Sequence, residues 1–254
     1  MSLFDSLLSK DKTKQEFSMG NSVNISCDPL KTEVIVELLK IPKDKRDEAW
    51  KNSFFENIIT ASFPETLPQI IFGIDSFPYF VLKTIENYNP FESYCIKNMQ
   101  DNILLRRGIG VVINPDGNDA DWVFSYGDIL NLKINNEFIS KTNYKIQQNP
   151  ELLKNNDQFH IVKLSENHLP DYTRLLLKSY LQKIGVKKPK FMVIQRKDNT
   201  PFVPELVFNL FAEDLTSLNE FNQYINQLSW YLPKHYIIST ISKNSDLLSN
   251  FEIL

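Results

Sequence analysis

Residues 104–132, LLRRGIGVVINPDGNDADWVFSYGDILNL, constrain the fold more than any other stretch, because two β-rich runs flank a dense cluster of turn formers. Val111, Val112 and Ile113 make the first run and Trp122, Val123 and Phe124 the second, so the segment reads as a β-hairpin. Pro115 suits a turn's first central position. Gly117 supplies the positive φ that lets a loop of three or more residues close with a bulge. A short helix is expected over residues 126–132.

The hairpin also holds the chain's densest carboxylate cluster: Asp116, Asp119, Asp121 and Asp128. Closely spaced carboxylates are what hard divalent cations bind, so a metal site is one reading of them. An EF-hand loop needs its glycine after the third ligand position and a distal Glu. Here Gly117 falls between Asp116 and Asn118 and no Glu follows in register, so a solvated turn is the reading preferred. Trp122, Phe124 and Tyr126 alternate along the second strand, as core or as a binding row, and Arg106 and Arg107 stand just before the first. These five are the candidate binding residues.

Upstream, Asp28-Pro29 has the chemistry of a helix start, and Leu30, Val34 and Leu38 give that helix an apolar stripe before Pro42 ends it. A second helix over residues 45–60 carries Trp50, Phe54 and Ile58, with Phe55 and Ile59 widening its face. Residues 69–72 and 79–83 read as another hairpin. A helix opening at Pro90 with Phe91, Cys95, Met99 and Ile103 leads to Gly108 and Gly110.

Residues 133–157 turn polar and Asn-rich, which places a domain boundary at 140–158. Beyond it come a strand at 159–164 and a helix led by Pro170, carrying Tyr172, Leu175, Leu176 and Tyr180 with Leu177, Leu181 and Ile184 beside them. Strands at 191–195 and 206–211 follow. A helix with a Ser217/Glu220 capping box carries Leu218, Phe221, Ile225, Leu228 and Leu232, and a strand at 236–241 is the last element. The order βαββαβ predicts a ferredoxin-like domain, an antiparallel sheet with both helices on one face. The expected protein is therefore α+β, with a mobile lead-in at 1–27, an N-terminal domain at 28–140 and a C-terminal domain at 158–254.

The stretch HLPDYTRLLLKSYLQKIGVKKPKFMVI, with its Pro170-led helix, Gly185 break and apolar strand, resembles the C-terminal domain of the bacterial SseB family, named for enhanced serine sensitivity. That resemblance implies a bacterial accessory protein without a known catalytic residue set. It carries no site residue over to this chain.

Chemistry-bearing motifs are scarce. His160, His168 and His235 are the only imidazoles, and none lies in an H-E-x-x-H arrangement. No G-x-S-x-G elbow and no Walker A sequence occurs, and Gly108-Ile109-Gly110 lacks a third glycine, so no cofactor is expected. A net charge of −3 and the absence of an RRM aromatic core argue against nucleic acid as a partner. No apolar run is long enough for a membrane span, and the start lacks a signal peptide's basic and hydrophobic regions, so a cytoplasmic protein with no membrane partner is expected. Cys27 and Cys95 lie far apart in sequence, outside any C-x-x-C pattern, and read as small buried hydrophobes rather than a disulfide or zinc pair. The functional expectation is a non-catalytic protein that binds another protein. The alternative is a metal-dependent hydrolase using the acidic cluster.

Overall fold

The computed structural model describes residues 27–84, 93–140, 151–153, 157–197 and 203–254. The expected lead-in, apart from Cys27, and the Pro90-Phe91 helix start lie outside them. So does most of the expected boundary. The protein is α+β, and among the described residues no helix is long and apolar enough to cross a membrane.

Helix α1 (Pro29–Leu39) starts where Asp28 predicts, its carboxylate accepting from the Leu30 N–H at 3.0 Å. Its rotation differs from the expected stripe. Thr32 donates to the carbonyls of Asp28 and Ser62 and accepts from the Ser62 N–H at 2.7 Å, so it turns inward with Ile35. Leu30 is left 71% exposed and Val34 39%. Helix α2 (Glu48–Ile58), capped by Asp47, buries Trp50, Phe54 and Ile58 as their spacing predicts.

Strands β1 (Phe63–Pro64) and β4 (Ser93–Tyr94) form a small pair. The N-terminal sheet has the order β2-β3-β5-β6, from β2 (Ile70–Phe72), β3 (Pro78–Leu82), β5 (Gly110–Asp116) and β6 (Asp119–Phe124). β3 and β5 run parallel, joined through α3 (Ile96–Met99), which continues as a π-helical segment, Gln100–Leu105. The central hairpin is real but closes more tightly than its composition suggests. Asp116 pairs with Asp119, so the turn has two residues, with Gly117 first at φ +57°. Glycine there matches the twist of paired strands, so no bulge is needed, and Pro115 sits inside β5 opposite Ala120. Ser125 and Asp128 then form a reciprocal capping box for α4 (Tyr126–Asn135).

The second sheet is built on β9 (Lys190–Arg196), β10 (Glu205–Phe208) and β11 (Ile237–Thr240). β8 (Phe159–Val162) and β12 (Glu252–Ile253) share the free edge of β9, and β7 (Glu151–Leu152) extends the far side. Helices α5 (Asp171–Lys183) and α6 (Leu218–Trp230) both pack into the core lined by Phe191, Val193, Leu206 and Phe208. The chain order βαββαβ is therefore present, but the ferredoxin-like arrangement is not. Strands β8 to β11 lie in sequential order across the sheet, β8 and β9 as antiparallel neighbours and β10 and β11 in parallel, so the sheet is mixed. A helix between antiparallel neighbours cannot be the interleaving crossover that a split βαβ unit requires. In α5 the buried face is Thr173, Leu177, Tyr180 and Leu181, leaving Leu175 64% exposed, because the Thr173 hydroxyl meets that of Tyr126 at 2.8 Å. In α6, Phe221, Ile225 and Leu228 face inward as expected, while Leu218 is exposed.

One core runs between the two sheets. Phe77 stacks on Trp230 with ring centroids 4.0 Å apart, and the Trp230 indole N–H donates to the Tyr79 hydroxyl at 2.8 Å. Gly127 lies so close to the chain leaving α6 that a Cβ would stand 1.9 Å from the Leu232 carbonyl oxygen. Nothing lies within 4 Å of the Cβ position at Gly117, where only backbone strain opposes a side chain. Gly127→Ala is therefore expected to cost at least ~3 kcal/mol and to lower Tm by more than about 6 °C. Gly117→Val should cost about 1–2 kcal/mol. Thermal unfolding of both variants checks the ranking, and equal losses would mean that the α4–Leu232 contact yields readily.

Candidate functional site: an apolar groove between α2 and the end of α4

The doublets Phe54-Phe55 and Ile58-Ile59 give α2 two apolar faces. Phe54 and Ile58 are fully buried, whereas Phe55 and Ile59 are half-buried and look along the flank of the helix. α4 ends with Asn136 in the left-handed conformation at φ 58°, and the buried Asn131 amide donates to the Glu137 carbonyl at 2.8 Å. That turn returns the chain to α2. Phe138 then stacks on Phe124 at 4.2 Å and meets Phe55 at 5.4 Å.

Between the two elements lies a groove of about 780 Å³. Phe55, Ile59, Phe138 and Ile139 give it apolar walls, and among the described residues Glu48, Glu56, Glu137 and Lys51 are its charged lining. Lys51 pairs with Glu48 at 3.3 Å and lies 6.0 Å from the Phe55 ring centre.

The aromatic row read from the sequence stands behind this wall. Phe124 and Tyr126 are fully buried, and half-buried Trp122 meets Phe55 edge-on at 5.4 Å and Trp50 at 5.7 Å. Arg106 and Arg107 end the π-helical segment beside Gly108, which packs against Leu176 of α5, and neither lines the groove. Phe55, Ile59 and Phe138 are the residues that sequence reasoning missed as site residues. The signal available was the pair of apolar doublets, which exceed what one buried stripe needs.

Three carboxylates of the acidic cluster, Asp119, Asp121 and Asp128, are each held by a separate cation. Lys43 lies 2.5 Å from both oxygens of Asp119, and this bond, with the Ala120 N–H, holds that carboxyl below its usual range. Asp121 takes Arg46 at 2.8 Å and the Asn114 amide at 2.9 Å. Asp128 is buried under its capping box with Lys234 at 2.9 Å, and Asp116 is exposed at the hairpin tip. Among the described residues, no group of three or more His, Cys, Asp or Glu side chains is placed to hold a metal.

His160 is exposed on β8, and His168 bonds the Ser165 hydroxyl at 2.9 Å. Burial, with a smaller contribution from nearby His168, pushes the His235 imidazole from 6.5 down to about 4. No protein-family model matches the chain, and no curated protein or solved structure does.

The Arg46 side chain is only 7% exposed and also donates to the carbonyls of Ile41, Leu39 and Asp121, so its charge depends on the Asp121 carboxylate. Asp121→Asn is expected to cost about 2–3 kcal/mol, while Asp119→Asn, on an exposed pair, should leave Tm unchanged within error. Millimolar Mg²⁺, Ca²⁺ or Mn²⁺ should not raise Tm above its value in EDTA. A rise of several degrees with one ion, lost in Asp121→Asn, would establish a metal site instead.

His235 also sets a pH dependence. Its folded pKa of about 4 lies below the ordinary 6.5, so unfolding takes up a proton between those values. The stability that this neutral ring contributes is complete above pH 6.5 and is lost as pH falls toward 4. Tm measured across that window should fall on acidification, and less steeply in His235→Gln. Parallel curves for the two proteins would show that another group carries the dependence.

Proposed function

We propose that this chain is a non-catalytic bacterial accessory protein, cytoplasmic and SseB-like in its C-terminal half, that works by protein–protein interaction. The occupant of the α2–α4 groove is an apolar segment of a partner protein flanked by Lys or Arg. One observation carries this reading: a groove with apolar walls that is bordered, among the described residues, by Glu48, Glu56, Glu137 and Lys51. Apolar walls reward burial of an aliphatic or aromatic anchor, and the exposed Glu56 carboxylate at the rim favours basic flanks and speeds encounter. Phe55 and Phe138 are already held by Trp122 and Phe124, so docking need not order these rings.

Selection from a displayed library of random peptides tests it. Enriched sequences should combine an apolar anchor with basic flanks, and their affinity should fall as salt is raised. Ile59→Lys should abolish binding, and Glu56→Lys should weaken it by roughly tenfold, about 1.4 kcal/mol. Selection of acidic peptides, or peptides that bind Ile59→Lys as well as the wild type, would overturn the reading.

A further inference from the structure

The two cysteines, distant in sequence, meet in the fold. Asp28 bridges Ala61 and its N–H donates to the Thr60 carbonyl, while the Lys97 N–H donates to the Ile59 carbonyl, so both cysteine-bearing segments lie against the end of α2. Cys27 reaches residues on either side of Cys95. Its Sγ lies 3.8 Å from the Ser93 carbonyl oxygen, and the Asn98 amide donates to that sulfur at 3.5 Å. Cys95, fully buried, is the N-cap of α3 and lies in the chain between the two residues that the Cys27 sulfur touches.

We propose that Cys27 and Cys95 form a reversible dithiol–disulfide pair, a redox modification site that ties the start of α1 to the start of α3. The environments of the two sulfurs set the order of steps. Burial, and after it the neighbouring Cys27 thiol, push the Cys95 thiol up to about 12, which leaves it protonated and shielded, whereas Cys27 is partly exposed. The oxidant is a low-molecular-weight disulfide. The Cys27 thiolate attacks one of its sulfurs, the S–S bond breaks, and one small thiolate leaves and takes up a proton. Cys95 then loses its proton and attacks the Cys27 sulfur of the mixed disulfide, expelling the second small thiolate. Two protein thiols are thereby oxidised by two electrons, and the small disulfide is reduced to two thiols.

A bridge of this kind shortens the unfolded chain's freedom across a long loop, so closure should raise stability. Reversible pairs of this type occur where a structural disulfide would not persist, since exposed and partly exposed thiols exchange with the surrounding thiol pool.

The full-length folded protein is incubated with oxidised glutathione, then analysed by intact mass, thiol titration after denaturation, and peptide mapping. The wild type is expected to lose both thiols and two hydrogens, retain no glutathione, yield one cross-linked peptide joining Cys27 to Cys95, and revert fully with dithiothreitol. Its Tm should rise by several degrees on oxidation. Cys95→Ser should stop at one glutathione adduct on Cys27, and Cys27→Ser should leave Cys95 unmodified. A wild type that keeps a stable adduct on Cys27, forms intermolecular dimers, or retains both thiols would overturn the proposal. So would a bridge that lowers Tm, because the oxidant would then have trapped a non-native state.

Discussion

The contact on which both sheets depend is the seating of Trp230 against the β2–β3 hairpin. Its ring stacks on Phe77, and its N–H donates to the Tyr79 hydroxyl, which donates in turn to Asp75 at 2.5 Å. Asp75 also accepts from the Phe77 N–H at 3.1 Å, so the turn that positions the hairpin is part of the same chain of bonds. A buried indole and phenol are costly with their polar atoms unpaired, and here each completes the other. Burial and the Asp75 bond both push the Tyr79 phenol well above its ordinary pKa, so it stays a neutral donor. Behind this seam, the Tyr126–Thr173 hydroxyl pair and the close approach of Gly127 to Leu232 fix α4 against the second sheet.

What the sequence discloses is mostly what neighbours along the chain decide. Asp28, Asp47, Ser125 and Ser217 cap helices with side-chain oxygens one or a few residues from the N–H groups they satisfy; Asp28 and Ser217 mark their helix starts in the sequence, whereas the helix expected from residue 45 begins only at Glu48, after Asp47. Which face turns inward is set across the fold. Thr32 reaches Ser62 and Thr173 reaches Tyr126, and each hydroxyl turns its helix away from the stripe with more apolar surface. Strand order is equally non-local: the same βαββαβ succession serves a ferredoxin-like sheet or the sequential one found. Two-residue β12 is too short to carry a periodic signal at all.

The functional readings divide along the same line. The hairpin carboxylates are conspicuous together, but Lys43 and Arg46, which neutralise two of them, come from the loop between α1 and α2, and Lys234 from beyond α6. A cluster judged without its counter-charges looks more available to a cation than it is. Conversely, Phe55 and Ile59 look like ordinary core residues, because nothing local shows that the end of α4 returns to form an opposite wall.

Phe55 belongs to both the core and the groove, and that double membership determines how recognition can be separated from stability. One side of its ring rests on Trp122 and Phe124, and another faces the groove with Phe138. Removing it would open a cavity beside Phe54 and Trp122 as well as strip the binding surface, so a loss of affinity there could follow from either cause. Glu56, by contrast, is exposed and belongs to no aromatic stack. Exposed charges contribute little to folding and much to steering, so a substitution at Glu56 tests the proposed recognition while the aromatic wall beneath it keeps the fold.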